Sequence, residues 1–112
     1  MTMTITSGGA SGVVRTLGGE LVSFVKDGKE YVWQGDPAHW SGQAPILFPV
    51  CCAALDNKIA FDGVEYPMPK HGIARKREFE PIFVSKDKVI LEQRESEETL
   101  AMFPFCYSLK AE

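Results

Sequence analysis

Residues 20–33 read Glu20-Leu21-Val22-Ser23-Phe24-Val25-Lys26, Asp27-Gly28, Lys29-Glu30-Tyr31-Val32-Trp33. The first run puts Leu21, Ser23 and Val25 on one side and Val22 and Phe24 on the other, and it is rich in the residues that suit a pleated, half-buried surface. Asp-Gly then supplies the positive φ that a two-residue primed turn requires, so the stretch predicts a β-hairpin. On its amino-terminal side, residues 4–7 and 12–17 alternate weakly and extend the strand-rich pattern.

On its carboxy-terminal side, residues 34–45 hold Gly, Asp, Pro and Ser with no periodicity and read as loop. Ile46-Leu47-Phe48-Pro49-Val50-Cys51-Cys52 is a continuous apolar run, too short for a helix and interrupted by Pro49; it predicts a buried strand with an irregularity at the proline. Ile59-Ala60-Phe61, Asp62-Gly63, Val64-Glu65-Tyr66 repeats the hairpin pattern in miniature. A second loop, Pro67-Met68-Pro69-Lys70-His71-Gly72, follows. Residues 77–85 and 88–95 alternate around Lys86-Asp87 and predict another strand pair with charged outward faces. Residues 97–102 suit one helical turn capped by Ser96, and residues 103–110 predict a closing strand. With 10 glycines and 7 prolines punctuating 112 residues, the expected fold class is all-β: an antiparallel β-sandwich, or part of one, of eight to ten short strands.

Length allows one domain over residues 1–112 and rules out a second core. A chain of this size buries roughly 65% of the surface that its unfolded form exposes. Hydrophobic residues make up 45% and charged residues 24%, a globular balance that excludes a disordered or fibrous protein. Twelve Lys and Arg against 15 Asp and Glu leave a net charge of −3, without the clustered positive excess of a nucleic-acid binder. The longest uncharged run, residues 39–55, is too polar and broken to cross a membrane. The amino terminus lacks the basic region and apolar stretch of a secretion signal, so the expected location is cytoplasmic. Cys51, Cys52 and Cys106 form neither a disulfide framework nor a zinc pattern and read as small buried apolar residues. The chain stops at Ala111-Glu112 directly after Cys106-Tyr107-Ser108-Leu109-Lys110, which reads as an element interrupted rather than finished. An interrupted sheet leaves unpaired edge groups that another strand or a second copy of the chain could pair.

Two histidines could do acid or base work near neutral pH. His39, in Pro37-Ala38-His39-Trp40, reads as a partly exposed loop residue packed on Trp40. His71 has a different setting: two prolines stiffen the approach to it, and Gly72 lets the backbone pass close to a ligand. Arg75 follows four residues on and could place forked donors near the same cavity. By itself a histidine in a turn is more often structural than catalytic. Trp33, Trp40, Phe48, Phe61, Tyr66, Phe103 and Phe105 could line a sugar-binding cleft, because pyranose C–H faces pack on rings. In a small β-sandwich such residues are more often core, and only at Trp40, in its polar loop, do both readings stand level. Glu92, Glu95, Glu97 and Glu98 read as a solvated face without metal-type spacing. No phosphate loop, serine-nucleophile or metalloprotease pattern occurs.

Five segments in order resemble one family: Gly19-Glu20-Leu21-Val22-Ser23, Glu30-Tyr31-Val32-Trp33-Gln34-Gly35-Asp36-Pro37, Ala44-Pro45-Ile46-Leu47-Phe48-Pro49, Asp62-Gly63-Val64-Glu65-Tyr66-Pro67-Met68 and His71-Gly72-Ile73-Ala74-Arg75. They look like the amino-terminal half of aldose 1-epimerase (galactose mutarotase-like) proteins, with the resemblance running from about residue 18 to about residue 108. It implies a large antiparallel β-sandwich, of which this chain is an amino-terminal part. It also implies an isomerase that interconverts the anomers of an aldose, with a small-molecule sugar as partner and no metal or organic cofactor. Carried over by position, His71 is implied to be a substrate-binding or auxiliary catalytic acid residue, Arg75 a supporting substrate-binding one, and Trp40 a candidate sugar contact. Two departures matter. The position at which relatives grip sugar hydroxyls with an arginine is Ala53 here, and the family's base and second histidine lie downstream of Glu112. The alternative is a non-catalytic carbohydrate-binding β-sandwich module.

Overall fold

A computed structural model describes residues 1–112. Nine strands form three antiparallel sheets. Strands β1 (Thr2–Ser7), β2 (Ala10–Arg15), β3 (Glu20–Lys26) and β4 (Lys29–Glu30) lie side by side in chain order. Strands β5 (Lys58–Phe61) and β6 (Val64–Pro67) are a separate hairpin, and β7 (Glu80–Val84), β8 (Val89–Arg94) and β9 (Ser108–Ala111) make the third sheet with β8 in the centre. One short helix, α1 (Glu97–Leu100), and two single 3₁₀ turns at Leu55–Asn57 and Ala74–Lys76 complete the chain. No helix is long and apolar enough to cross a membrane.

The expected turns are present and have the predicted chemistry. Asp27-Gly28 and Asp62-Gly63 both sit at positive φ (51° and 76°, 49° and 78°), the conformation of a type I′ hairpin loop. Ser96 caps α1: its hydroxyl accepts from Thr99 N at 3.2 Å, and its own N–H donates to Thr99 Oγ1 at 2.8 Å, so two orphan donors are satisfied.

Strand β8 fixes the core. Its burial alternates strictly, with Val89, Leu91 and Gln93 inward, the two-residue period of a strand that covers one face. Leu91, Val89, Phe79 and Ala74 form the buried cluster, and Ile5, Val14, Ile46, Phe48 and Leu109 pack against it. The four-stranded and three-stranded sheets meet around these side chains. Backbone bonds join them: Gly18 N to Arg77 O at 2.8 Å, Phe79 N to Thr16 O at 2.9 Å and Thr6 N to Lys86 O at 2.7 Å. The one buried polar group of β8, Gln93, is paired at both ends, donating to Ala74 O at 3.2 Å and accepting from the Tyr107 hydroxyl at 3.1 Å.

Outside this cluster the body is thin. Only 14 of 112 residues are buried, and the molecule measures 53 × 35 × 18 Å with a radius of gyration of 16.1 Å, against about 13 Å for a compact chain of this length. Every residue of β7 is exposed, including Ile82, Phe83 and Val84. Large apolar area in water is what an unpaired sandwich face presents.

Five expectations need correction. Residues 46–52 are not a strand. Pro45 and Pro49 offer no N–H to a ladder, and Phe48 makes instead an isolated parallel bridge to Gly72, its carbonyl accepting from Ile73 N at 2.7 Å. The Phe48–Pro49 peptide is cis. Cys51, Cys52 and Cys106 are exposed, not buried. The closing strand begins only at Ser108, because residues 103–107 are committed to ring packing. Phe103 lies 5.0 Å from Phe105 and 5.6 Å from Phe48, and Phe61 lies 4.9 Å from Phe105. In that cluster Phe48, Phe61, Tyr66 and Phe103 are half-buried, whereas Phe105 and Trp33, read from the sequence as core, are exposed. Lastly, the second strand of the opening hairpin stops at Glu30. The Glu30 carboxylate takes over the ladder's work, accepting from Phe24 N and Val32 N at 2.8 Å each and from the Ser23 hydroxyl.

Two predictions follow from this geometry. Gly72 has φ 80°, and a Cβ there would sit 2.0 Å from the Phe48 carbonyl oxygen. Gly63 has φ 78° with open space around it. In chemical denaturation, Gly63→Ala costs about 1 kcal/mol for its φ alone, whereas Gly72→Ala costs more than about 3 kcal/mol because backbone must also move. Equal costs would contradict the close approach. Hydrogen bonds from Ser23, Phe24 and Val32 hold the Glu30 carboxyl down at about 2, from 4.5. A depressed carboxyl stabilises the fold above its unfolded value and loses that contribution as pH falls through the folded one. Trp33 fluorescence is therefore expected to report loosening of the β3–β4 end between about pH 4.5 and 2, and Glu30→Gln to remove that transition.

Candidate functional site

The turn that follows β6 carries the histidine singled out by the sequence. His71 is half-buried and adopts φ 68°, a left-handed backbone uncommon for a residue with a side chain. Two hydrogen bonds to one neighbour hold it there. The His71 N–H donates to Cys52 O at 2.9 Å, and the Cys52 N–H donates to His71 Nδ1 at 3.0 Å. Because Nδ1 accepts, the neutral ring carries its proton on Nε2, which leaves an N–H donor on the free edge of the imidazole. Gly72 then crosses Phe48, and Ile73 and Ala74 enter the core fully buried. The histidine thus sits at the rim of the best-packed part of the chain.

Arg75 belongs to the same turn. Its Nη2 donates to Lys70 O at 3.1 Å, closing the loop around His71. Its Nε is buried without a hydrogen-bond partner, as are Nε of Arg15 and Arg77. Those two arginines are paired with Glu20 and Glu98. Arg75 has no carboxylate partner, so its charge is uncompensated beside His71.

Trp40 stands elsewhere. It is exposed and sits in the loop after β4, where its carbonyl accepts from Trp33 Nε1 at 2.7 Å and its indole covers Gly42, whose Cβ would meet the ring at 2.5 Å. None of its hydrogen bonds reaches the His71 turn. His39 is exposed, bonded to Asp36 at 3.3 Å, and its ring meets Trp33 edge-on at 6.1 Å rather than packing on Trp40 as expected. Residues that the sequence did not flag hold this loop down. The Glu20 carboxylate is buried and accepts from Ala44 N at 2.8 Å and Gln43 N at 3.3 Å while pairing with Arg15; the Gln43 amide donates to Val22 O at 2.8 Å and Trp33 O at 2.9 Å. The bonds of Glu20 to residues 43 and 44 and of Gln43 to Val22 span more than twenty residues and leave no periodic trace.

Two of the glutamates read as a solvated face are instead structural. Glu92 accepts from the Ser108 hydroxyl at 2.6 Å and from Arg94, and these contacts hold its carboxyl below the usual range. Glu95 accepts from Tyr107 N at 3.0 Å, and its hydrogen bond with the Cys106 thiol pushes that thiol up. Burial raises the Tyr107 phenol as well.

An apolar cleft of about 510 Å³ opens between β1–β3 and β8–β9, lined by Ile5, Val14, Leu21, Val89, Leu91 and Ala111 among others. His71, Arg75 and Trp40 do not line it. A sugar needs polar partners around its hydroxyls, so this cleft suits side-chain packing better than carbohydrate.

Known proteins match this arrangement along most of its length. The family model described as aldose 1-epimerase covers residues 1–112. The plasmid-borne protein LacX of Lactococcus lactis subsp. lactis is 37% identical, the match covering 86% of this chain and 34% of that protein. The crystal structure of a galactose mutarotase-like protein from Lactobacillus casei ATCC 334 superposes with a TM-score of 0.95 at 36% identity, covering 98% of this chain and 38% of that one. A galactose mutarotase related enzyme from Lactobacillus acidophilus gives 0.95 at 28% identity over 98% of this chain and 37% of its own. The chain therefore spans about a third of the length of these relatives, less than the half that the sequence resemblance implied. With a match across every residue and the antiparallel fold in common, the chain belongs to the aldose 1-epimerase family.

Proposed function

We propose that the chain supplies the sugar-holding portion of an aldose 1-epimerase-type site, at which the anomers of an aldose interconvert. The observation that carries this reading is the His71 turn, a donor-bearing imidazole fixed in one tautomer beside an arginine without a carboxylate partner. The reaction moves two protons. A base takes the proton of the anomeric hydroxyl while an acid protonates the ring oxygen; the ring opens, the C1–C2 bond rotates, and closure gives the other anomer. In this scheme His71 Nε2–H donates to the sugar, as a binding group or auxiliary acid. Arg75 donates to hydroxyl oxygens with its free N–H groups. Trp40, on its own loop, offers a ring face to the apolar side of a pyranose.

The chain is read as an amino-terminal portion of a larger sandwich. The remainder of that sandwich would cover the cleft between the sheets and the exposed β7, and would bring the base. A second reading rests on the resemblance: Ala53, exposed here, stands at the position where the resemblance implies a sugar-gripping arginine, which favours a carbohydrate-binding module without turnover.

Polarimetry on freshly dissolved α-galactose tests the first reading. The chain alone is expected to leave the spontaneous rate unchanged, and its fusion to the remaining portion of a galactose mutarotase-like relative is expected to accelerate it. Full turnover by the isolated chain would refute the need for a second portion. In an NMR titration with galactose, the His71 imidazole resonances are expected to move, and Arg75→Ala to weaken that response about tenfold, the loss of roughly one charged hydrogen bond. Titration with no sugar-dependent change at either His71 or Trp40 would count against both readings.

A further inference from the structure

Cys51 and Cys52 are adjacent, both exposed, and their Sγ atoms lie 3.9 Å apart. The backbone beneath them is held. Cys52 adopts φ 65°, a conformation that persists where the surroundings over-determine it, and here its N–H and its carbonyl both bond to His71.

Pair geometry decides what chemistry is open. A disulfide needs sulfurs about 2.04 Å apart and Cα atoms at least about 4.4 Å apart. Across a trans peptide neighbouring Cα atoms are about 3.8 Å apart, so direct closure is strained. One atom placed between the sulfurs meets no such limit: two bonds of about 2.3 Å, the length zinc makes to thiolate, span roughly 3.3 Å at the near-right angle of a pyramidal atom and roughly 3.8 Å at a tetrahedral one, so the sulfurs reach either by closing a fraction of an ångström from 3.9 Å. Zinc itself takes three or four protein ligands, and no third His, Cys, Asp or Glu gathers here to complete a set. A bridging atom satisfied by two sulfurs and one organic substituent is trivalent arsenic.

We propose that Cys51 and Cys52 form a vicinal-dithiol site for a monosubstituted trivalent arsenical, and that capture there is transmitted to His71 through the Cys52 backbone. In the capture step the arsenic–oxygen bonding of an organoarsenic oxide breaks and two As–S bonds form. Both thiol protons leave with the oxygen as one water, arsenic stays trivalent, and no sulfur is oxidised. Cys106, alone and hydrogen-bonded to Glu95, can offer only one sulfur.

Phenylarsine oxide is the probe. Intact-mass spectrometry is expected to show one adduct, heavier by the reagent less one water, that survives excess 2-mercaptoethanol and is released by 2,3-dimercaptopropanol. Cys51→Ser and Cys52→Ser are each expected to cut its retention more than tenfold, and Cys106→Ser to leave it unchanged. Imidazole ¹H–¹⁵N resonances of His71 are expected to shift on capture, a readout that needs no sugar and so stands apart from the proposed function. Retention by either single serine variant, dependence on Cys106, the absence of an adduct, or His71 resonances unmoved by a full equivalent would overturn the proposal.

Discussion

The crossing of residues 48 and 72 is the constraint on which the rest depends. The Phe48 carbonyl approaches so close to Gly72 that no side chain fits between them, and it accepts the N–H of Ile73. From that point the chain runs in two directions with opposite environments. Forward, Ile73 and Ala74 are buried and continue through Phe79 to the core around Leu91. Backward, His71 is half-buried and braced on Cys52. A rigid, buried anchor on one side and a polar group on the other is how a fold fixes the position of a side chain that must meet a ligand, because lost conformational freedom has then been charged to folding rather than binding.

The rest of the molecule is thin around this anchor. Its buried set is small, its third sheet has a wholly exposed edge strand, and an apolar cleft lies open between the sheets. A chain that spans about a third of its relatives' length has a ready physical reason for such faces. A sandwich buries each sheet against another layer, and the exposed faces of β7 and the cleft are of the kind that such a layer covers. Under the proposed function His71 and Arg75 donate protons and hydrogen bonds, and the proton acceptor belongs to the proposed further portion of the sandwich.

Local signals explain which parts were legible in the sequence. The Asp-Gly pairs at residues 27–28 and 62–63 require positive φ and mark their turns wherever they occur, and Ser96 marks the start of α1. Alternation in residues 88–95 named the inward side of β8. Residues 46–52 misled because apolar character says that a segment is buried or near burial, not that it pairs; the two prolines and the carbonyl spent on Ile73 decide against a strand. The cysteines mislead for a related reason, since burial is their common fate whereas all three are exposed here, Cys52 at a left-handed turn. For the candidate site, Gly72 reads from the sequence as a point where the backbone passes close to a ligand, whereas the structure sets it against the Phe48 carbonyl of the same chain. The tether of Glu20 to residues 43 and 44, and the pairing of His71 with Cys52, join segments about twenty residues apart through side chain to backbone bonds, for which a single sequence holds no periodic signature.

Native-state hydrogen exchange at the His71 and Ile73 amides tests the central claim most directly, because each donates across the crossing, to Cys52 O and Phe48 O. The account predicts that both exchange only through global opening, with protection matching that of the Leu91 amide in the core strand. Exchange of either amide at the rate of the exposed 36–42 loop would show that the turn is not anchored there, and the account would fail.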